Sequence, residues 1–135
     1  MNHECYVSFE IAKLLKEAGF DWEEHYPRNF CYVNDNTELF DKSVLKNYTG
    51  EDDVIYLAPT LYIAQRWLRE VKDIDVYIFP TTNNKRGCVY EWEIKTFGRA
   101  LWVEGQPYTN QYETYEEALE VGIKKALEII LEKVE

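Results

Sequence analysis

Histidine and cysteine, the usual zinc ligands, are few in this chain of 135 residues. Its two histidines are His3 and His25. Its three cysteines, Cys5, Cys31 and Cys88, are odd in number, widely spaced and in no C-x-x-C pair. That pattern argues against a disulfide framework and for reduced thiols. A zinc site built from His25, Cys31 and Cys5 matches no standard ligand spacing and lacks a fourth ligand, so no metal or cofactor is expected. Cysteine catalysis needs a histidine partner. Cys88 falls instead on the apolar face of a predicted strand, where a thiol acts as a small buried hydrophobe. A glycine-rich phosphate loop, G-x-S-x-G and H-E-x-x-H are all absent. No catalytic residue is therefore assigned. No apolar run approaches the roughly 20 residues of a membrane helix. The opening MNHECYVSFEIAKLLKEAGF lacks the basic start and unbroken apolar core of a signal peptide. A cytoplasmic protein is the expectation.

Acid and aromatic rings are what the chain has in excess. The net charge is -10, and 16% of residues are aromatic, with 11 Tyr and 4 Trp. A surface this acidic repels nucleic-acid phosphates and anionic membranes, so neither is an expected partner. Acid also confers solubility. A sharper alternative is an acidic DNA mimic that occupies a basic protein groove. Large rings fill cores and core margins in a small domain, and those left over supply contact surfaces.

The length fits one globular domain, residues 1–135. Ser8 is a candidate N-cap, and the stripe Ile11, Leu14, Leu15 and Ala18 predicts a helix over about 9–18. Gly19 is placed to end it in the left-handed conformation. Residues 21–53 are the least regular, with Phe30–Val33 as a short strand and Asp41–Tyr48 as a turn of helix. Ala58-Pro59-Thr60 opens a second helix over about 60–71, with Leu61, Ala64, Leu68 and Val71 on its buried stripe. Ile74–Phe79 alternates with period two until Pro80 ends it. TTNNKRG is a hairpin-length link, and Cys88–Thr96 is the returning strand. Cys88, Tyr90, Trp92 and Ile94 share its apolar face, and Glu91, Glu93 and Lys95 share the wet one. Leu101–Val103 is a candidate third strand. Thr114-Tyr115-Glu116-Glu117 is a capping box that opens a last helix over about 114–134. Gly122 costs this helix about 1 kcal/mol relative to alanine. Close approach to the sheet or to the first helix would offset that. The fold class is thus α+β: a small antiparallel sheet, built from the hairpin 74–80/88–96 plus short strands, against three helices.

Two charged patterns bear on chemistry. Asp75, Glu91, Glu93 and Lys95 hold an E-x-K triplet on a strand with an upstream carboxylate. Metal-dependent nucleases use such a set to hold a cation and orient water, so a metal-dependent hydrolase is the enzymatic alternative. Arg66, Arg69 and Lys72 form a basic strip on the second helix, read as a solvated face.

The blocks SFEIAKLLKEAGF (8–20), APTLYIAQRWLREV (58–71), IDVYIF (74–79) and YETYEEALEVGIKKALEII (112–130) resemble a family of small uncharacterised proteins encoded in prophages and mobile elements of gut bacteria. The resemblance spans most of the chain outside 21–53 and 97–107. It implies a mobile-element origin and a cytoplasmic setting, and it transfers no site residue.

The leading expectation is a non-enzymatic accessory protein that acts through protein–protein contact, with a homodimer as one assembly. Tyr77, Phe79, Trp102 and Tyr108 lie off the faces needed for the core and are the candidate contact aromatics.

Overall fold

The computed structural model describes residues 5–22, 29–43, 50–96, 101–104 and 111–134. The elements run α1 (Phe9–Ala18), β1 (Phe30–Val33), β2 (Phe40–Asp41), β3 (Ile55–Leu57), α2 (Leu61–Val71), β4 (Ile74–Asn83), β5 (Gly87–Thr96), β6 (Leu101–Glu104) and α3 (Tyr115–Val134). The fold is α+β, with its helices close to the predicted ranges.

Local signals set the helix ends. Ser8 is extended and its hydroxyl accepts a bond from the Ile11 amide. Gly19 has φ +95°, and the Phe20 amide reaches back to the Leu15 carbonyl. That closing bond needs a left-handed residue, which glycine supplies without a Cβ clash. Thr60 caps α2 through the Ile63 amide. At α3 the capping box is half as expected. Thr114 Oγ1 accepts from the Glu117 amide, while the Glu117 carboxylate accepts from the Thr114 hydroxyl rather than from its amide.

The strands form two antiparallel sheets instead of the single one expected, in the orders β2-β1-β3 and β4-β5-β6. The long hairpin pairs Ile74 with Thr96 and continues to Asn83 opposite Gly87. α3 is the centre of the molecule. It packs on β4 and β5 and also against α1 and α2, while α1 carries the first sheet through β3 and β1. The core joins Ile11, Leu15, Leu61, Trp67 and Leu68 to Val76, Ile78, Trp92 and Ile94, with Leu119, Ile123 and Leu127 between them.

Gly122 explains itself here. A Cβ placed on it would lie 2.6 Å from Val76 Cγ1 and 3.2 Å from Trp92 Cβ. The expected close approach exists, and it is to the sheet.

Three local expectations need correction. Pro80 does not end β4, because its side of the strand faces away from β5. The Tyr90 amide and carbonyl both bond Tyr112. Tyr90 is Pro80's partner across the hairpin, so that pair exchanges no ladder bond and the missing N–H costs the hairpin nothing. The turn is therefore only Asn84–Arg86, with Asn83 Oδ1 accepting from the Lys85 and Arg86 amides and Gly87 at φ +80°. Cys88 is exposed, not buried, because it sits at the hairpin tip. Val71 is 47% exposed as the last residue of α2, after which Asp73 turns the chain at φ +57° into β4. The predicted helical turn over 41–48 is described only at its start, where Asp41 ends β2 and Lys42–Ser43 enter a 3₁₀ turn; the rest lies outside the described residues.

Candidate functional site

Alternation along the hairpin gives it two faces. Ile74, Val76, Ile78, Trp92 and Ile94 turn inward onto α3. Asp75, Tyr77, Phe79 and Thr81 on β4 turn outward with Val89, Glu91, Glu93 and Lys95 on β5. The register sets Asp75 opposite Lys95, Tyr77 opposite Glu93, and Phe79 opposite Glu91.

Midway along the edge strand β4 the Tyr77 and Phe79 rings stack, with centroids 5.6 Å apart and planes at 23°. Residues two apart on a strand share a face, which makes this stack possible. Tyr77 is 47% exposed and Phe79 is half-buried. The Lys95 ammonium lies 5.4 Å from the Tyr77 centroid and 3.8 Å from the Glu93 carboxylate. Arg69, from α2, stands 4.0 Å from Asp75. Both ion pairs are long and partly wet, so each is worth less than about 1 kcal/mol. They are readily exchanged for a partner's charges.

The face is not wet throughout. Val89 is fully buried and Glu91 is 4% exposed, with no hydrogen-bond partner for Glu91 Oε1 among the described residues. β5 is the central strand of its sheet, flanked by β4 on one side and by β6 and Tyr112 on the other. Glu93 and Lys95 on the same strand keep side-chain exposures of 30% and 53%, so the cover is local to Val89 and Glu91.

The predicted site residues divide accordingly. Tyr77 and Phe79 come together. Trp102 is on β6, opposite Lys95 in register. Tyr108 lies outside the described residues. Asp75, Glu91, Glu93 and Lys95 do share one face. Two of these carboxylates lie near cations, Asp75 near Arg69 and Glu93 near Lys95, and Glu91 is buried. Among the described residues no three His, Cys, Asp or Glu side chains converge to hold a metal ion. The basic strip on α2 is spent internally. Arg66 pairs with Glu70 and lies over Trp22, Arg69 faces Asp75, and Lys72 lies over Trp67. Carboxylates elsewhere are also paired, as Glu10 is with Lys124 at 2.7 Å and Glu113 with Arg86 at 3.9 Å.

A second aromatic cluster escaped sequence reasoning. Tyr62 on α2 stacks on Tyr115 of α3, which meets Tyr90 edge-on. The Tyr62 hydroxyl donates to the Glu116 carboxylate. That bond holds the phenol's proton and pushes its pKa up to about 12, helped by partial burial and the carboxylate's charge. The available signal was Tyr62 sitting beside the apolar stripe of its helix. Its partners are 53 and 54 residues away, beyond the reach of any periodicity. In the core, Tyr32 donates to the Val7 carbonyl at 2.6 Å. Burial and then the charge of Glu120 raise its pKa. At the β1–β3 end, bonds from Asn34 and from the Gly50 amide hold the Asp53 carboxyl below its usual range.

No family model, no curated protein and no solved structure matches the chain. Among the described residues no helix is long and apolar enough to cross a membrane.

Proposed function

We propose that this chain is a non-enzymatic accessory protein of the cytoplasm, of phage or mobile-element origin, that docks a protein partner on the outer face of the β4–β5 hairpin. One observation carries the reading: an exposed tyrosine stacked on a phenylalanine midway along the edge strand β4. Stacking holds both rings before a partner arrives, so little side-chain entropy remains to be lost on contact. An accessible aromatic pair bordered by polar groups is a common anatomy of a contact hot spot. The exchangeable pairs Arg69–Asp75 and Lys95–Glu93 supply that rim. A net charge of -10 favours a partner with a basic rim of its own. The resemblance to mobile-element proteins supports the setting and assigns no site.

The test uses the intact chain as bait in host lysate, followed by titration of the captured protein. The variant Tyr77→Ser/Phe79→Ser should weaken binding by about 2 kcal/mol or more, roughly 30-fold. Tyr62→Ser, on the second aromatic cluster, should leave affinity unchanged. A chain that recovers no partner and runs as a strict monomer in light scattering overturns the reading. So does a partner whose affinity ignores Tyr77 and Phe79.

A further inference from the structure

β4 is an edge strand of ten residues, and an edge of that length is a template for another strand. The parity of the ladder says which of its groups are free. Pro80 sits opposite Tyr90, whose main chain bonds Tyr112 instead of β4. Val76 has the same parity, and its carbonyl accepts from Gln65 Nε2 of α2 at 2.8 Å. The amides of Ile74, Val76, Ile78 and Thr82, and the carbonyls of these residues and of Pro80, therefore point away from β5. Two features interrupt this row. Gln65 occupies the Val76 carbonyl from a helix that packs against β4. Pro80 removes the one amide that lies midway between Ile78 and Thr82. Among the described residues nothing outside the hairpin bonds the main chain of Ile78 or Thr82.

The occupant best matched to a long edge is an identical edge, because a second copy is always present and two-fold pairing closes on itself. The parity makes that pairing poor. An antiparallel pair centred on Pro80 sets proline against proline, and both central bonds are lost. A pairing slid toward Val76 meets a carbonyl already taken by Gln65. We infer that Gln65 and Pro80 are gatekeepers, which stop β4 from pairing with β4 of a second copy. The inference does not depend on the docking reading, since it concerns the strand's edge and not its face.

The test restores what the gatekeepers remove. Pro80→Val and Pro80→Val/Gln65→Leu should remain folded in urea titrations, because Pro80 makes no ladder bond to β5. Light scattering over rising concentration should show their mass climbing to at least twice the wild-type value. Adding Thr82→Lys, a charge on the same edge, should return it to the wild-type value. Variants that keep the wild-type mass at every concentration overturn the inference. So does association that Thr82→Lys leaves unchanged. Amide hydrogen exchange of the wild type is a second measurement that needs no variant. The Ile78 and Thr82 amides should exchange much faster than those of Tyr77 and Phe79, which face β5. Equal protection would mean that the edge is already occupied, and would also overturn the inference.

Discussion

Replacing Gly122 by alanine sets two effects of opposite sign against each other. Helix propensity alone favours alanine by about 1 kcal/mol in a helix interior. The structure says the other term wins. The new Cβ would sit 2.6 Å from Val76 Cγ1, about 1 Å inside an ordinary carbon–carbon contact. Val76 is fully buried in a paired strand, and a β-branched side chain has little rotamer freedom with which to withdraw. Trp92 Cβ at 3.2 Å closes the other side. Moving α3 outward instead would open the contacts of Leu119, Ile123 and Ala126. Overpacking of this kind costs about 1–3 kcal/mol, and a shortfall near 1 Å belongs in the upper half of that range. The net expectation for Gly122→Ala is a loss of about 1–2 kcal/mol. Val76→Ala alone should cost about 2 kcal/mol in lost burial. In Gly122→Ala/Val76→Ala the added methyl enters the vacated space. The double variant should therefore fall short of the sum of the singles by about 1–2 kcal/mol. Val89→Ala, buried on the opposite face of the hairpin, should add to Gly122→Ala without coupling. Urea unfolding followed by tryptophan fluorescence reads all six proteins, the wild type and the Gly122→Ala/Val89→Ala double variant included, since Trp67 and Trp92 are both buried. A Gly122→Ala protein more stable than wild type would refute the reasoning. Strict additivity with Val76→Ala would refute the assignment of the clash.

Two further expectations follow from the helix ends and the second tyrosine cluster. Thr60→Ala and Thr114→Ala each remove an acceptor for an otherwise unpaired first-turn amide, and each should lower stability by about 1 kcal/mol in the same urea assay. Loss of one and not the other would separate a cap from a surface hydroxyl. Tyr62 gives a pH dependence of definite sign. Its folded pKa of about 12 lies above the ordinary 10.0, so its contribution is complete below pH 10 and is lost as pH rises toward 12. In an ultraviolet phenolate titration, Tyr62→Phe should remove one late-ionising phenol. The stability gap between the two proteins should close across the same window, and a gap that is constant through it would deny the Glu116 bond.

The candidate site was partly legible. Period two on residues 74–79 and 88–96 is enough to put Tyr77, Phe79, Glu93 and Lys95 on one face, because strand geometry alone dictates it. The depth of each residue on that face was not. Glu91 and Glu93 look equivalent in sequence, yet Glu91 is buried and Glu93 is not. Both lie on β5, so position in the sheet does not separate them, and only the packing around Val89 and Glu91 does. Cys88 and Val71 show the same limit from the other direction. Both continue an apolar pattern, but each stands at an element's end, where cover is no longer supplied by periodicity.

By itself the sequence determined what short-range physics decides. Ser8, Thr60 and Thr114 open the helices and Gly19 closes the first, since caps act within a few residues. The alternation of the hairpin and the need of Gly122 for a close neighbour were local as well. The tertiary structure decided what depends on distant chain. It split the strands into two sheets with α3 between the second sheet and α1. It carried β4 through Pro80, because only the bonding of Tyr90 to Tyr112 shows that proline's missing amide faces an edge. It joined Tyr62 to Glu116 across 54 residues. Hydrogen-bond parity and burial are properties of neighbours, and those neighbours are chosen only when the whole chain has packed.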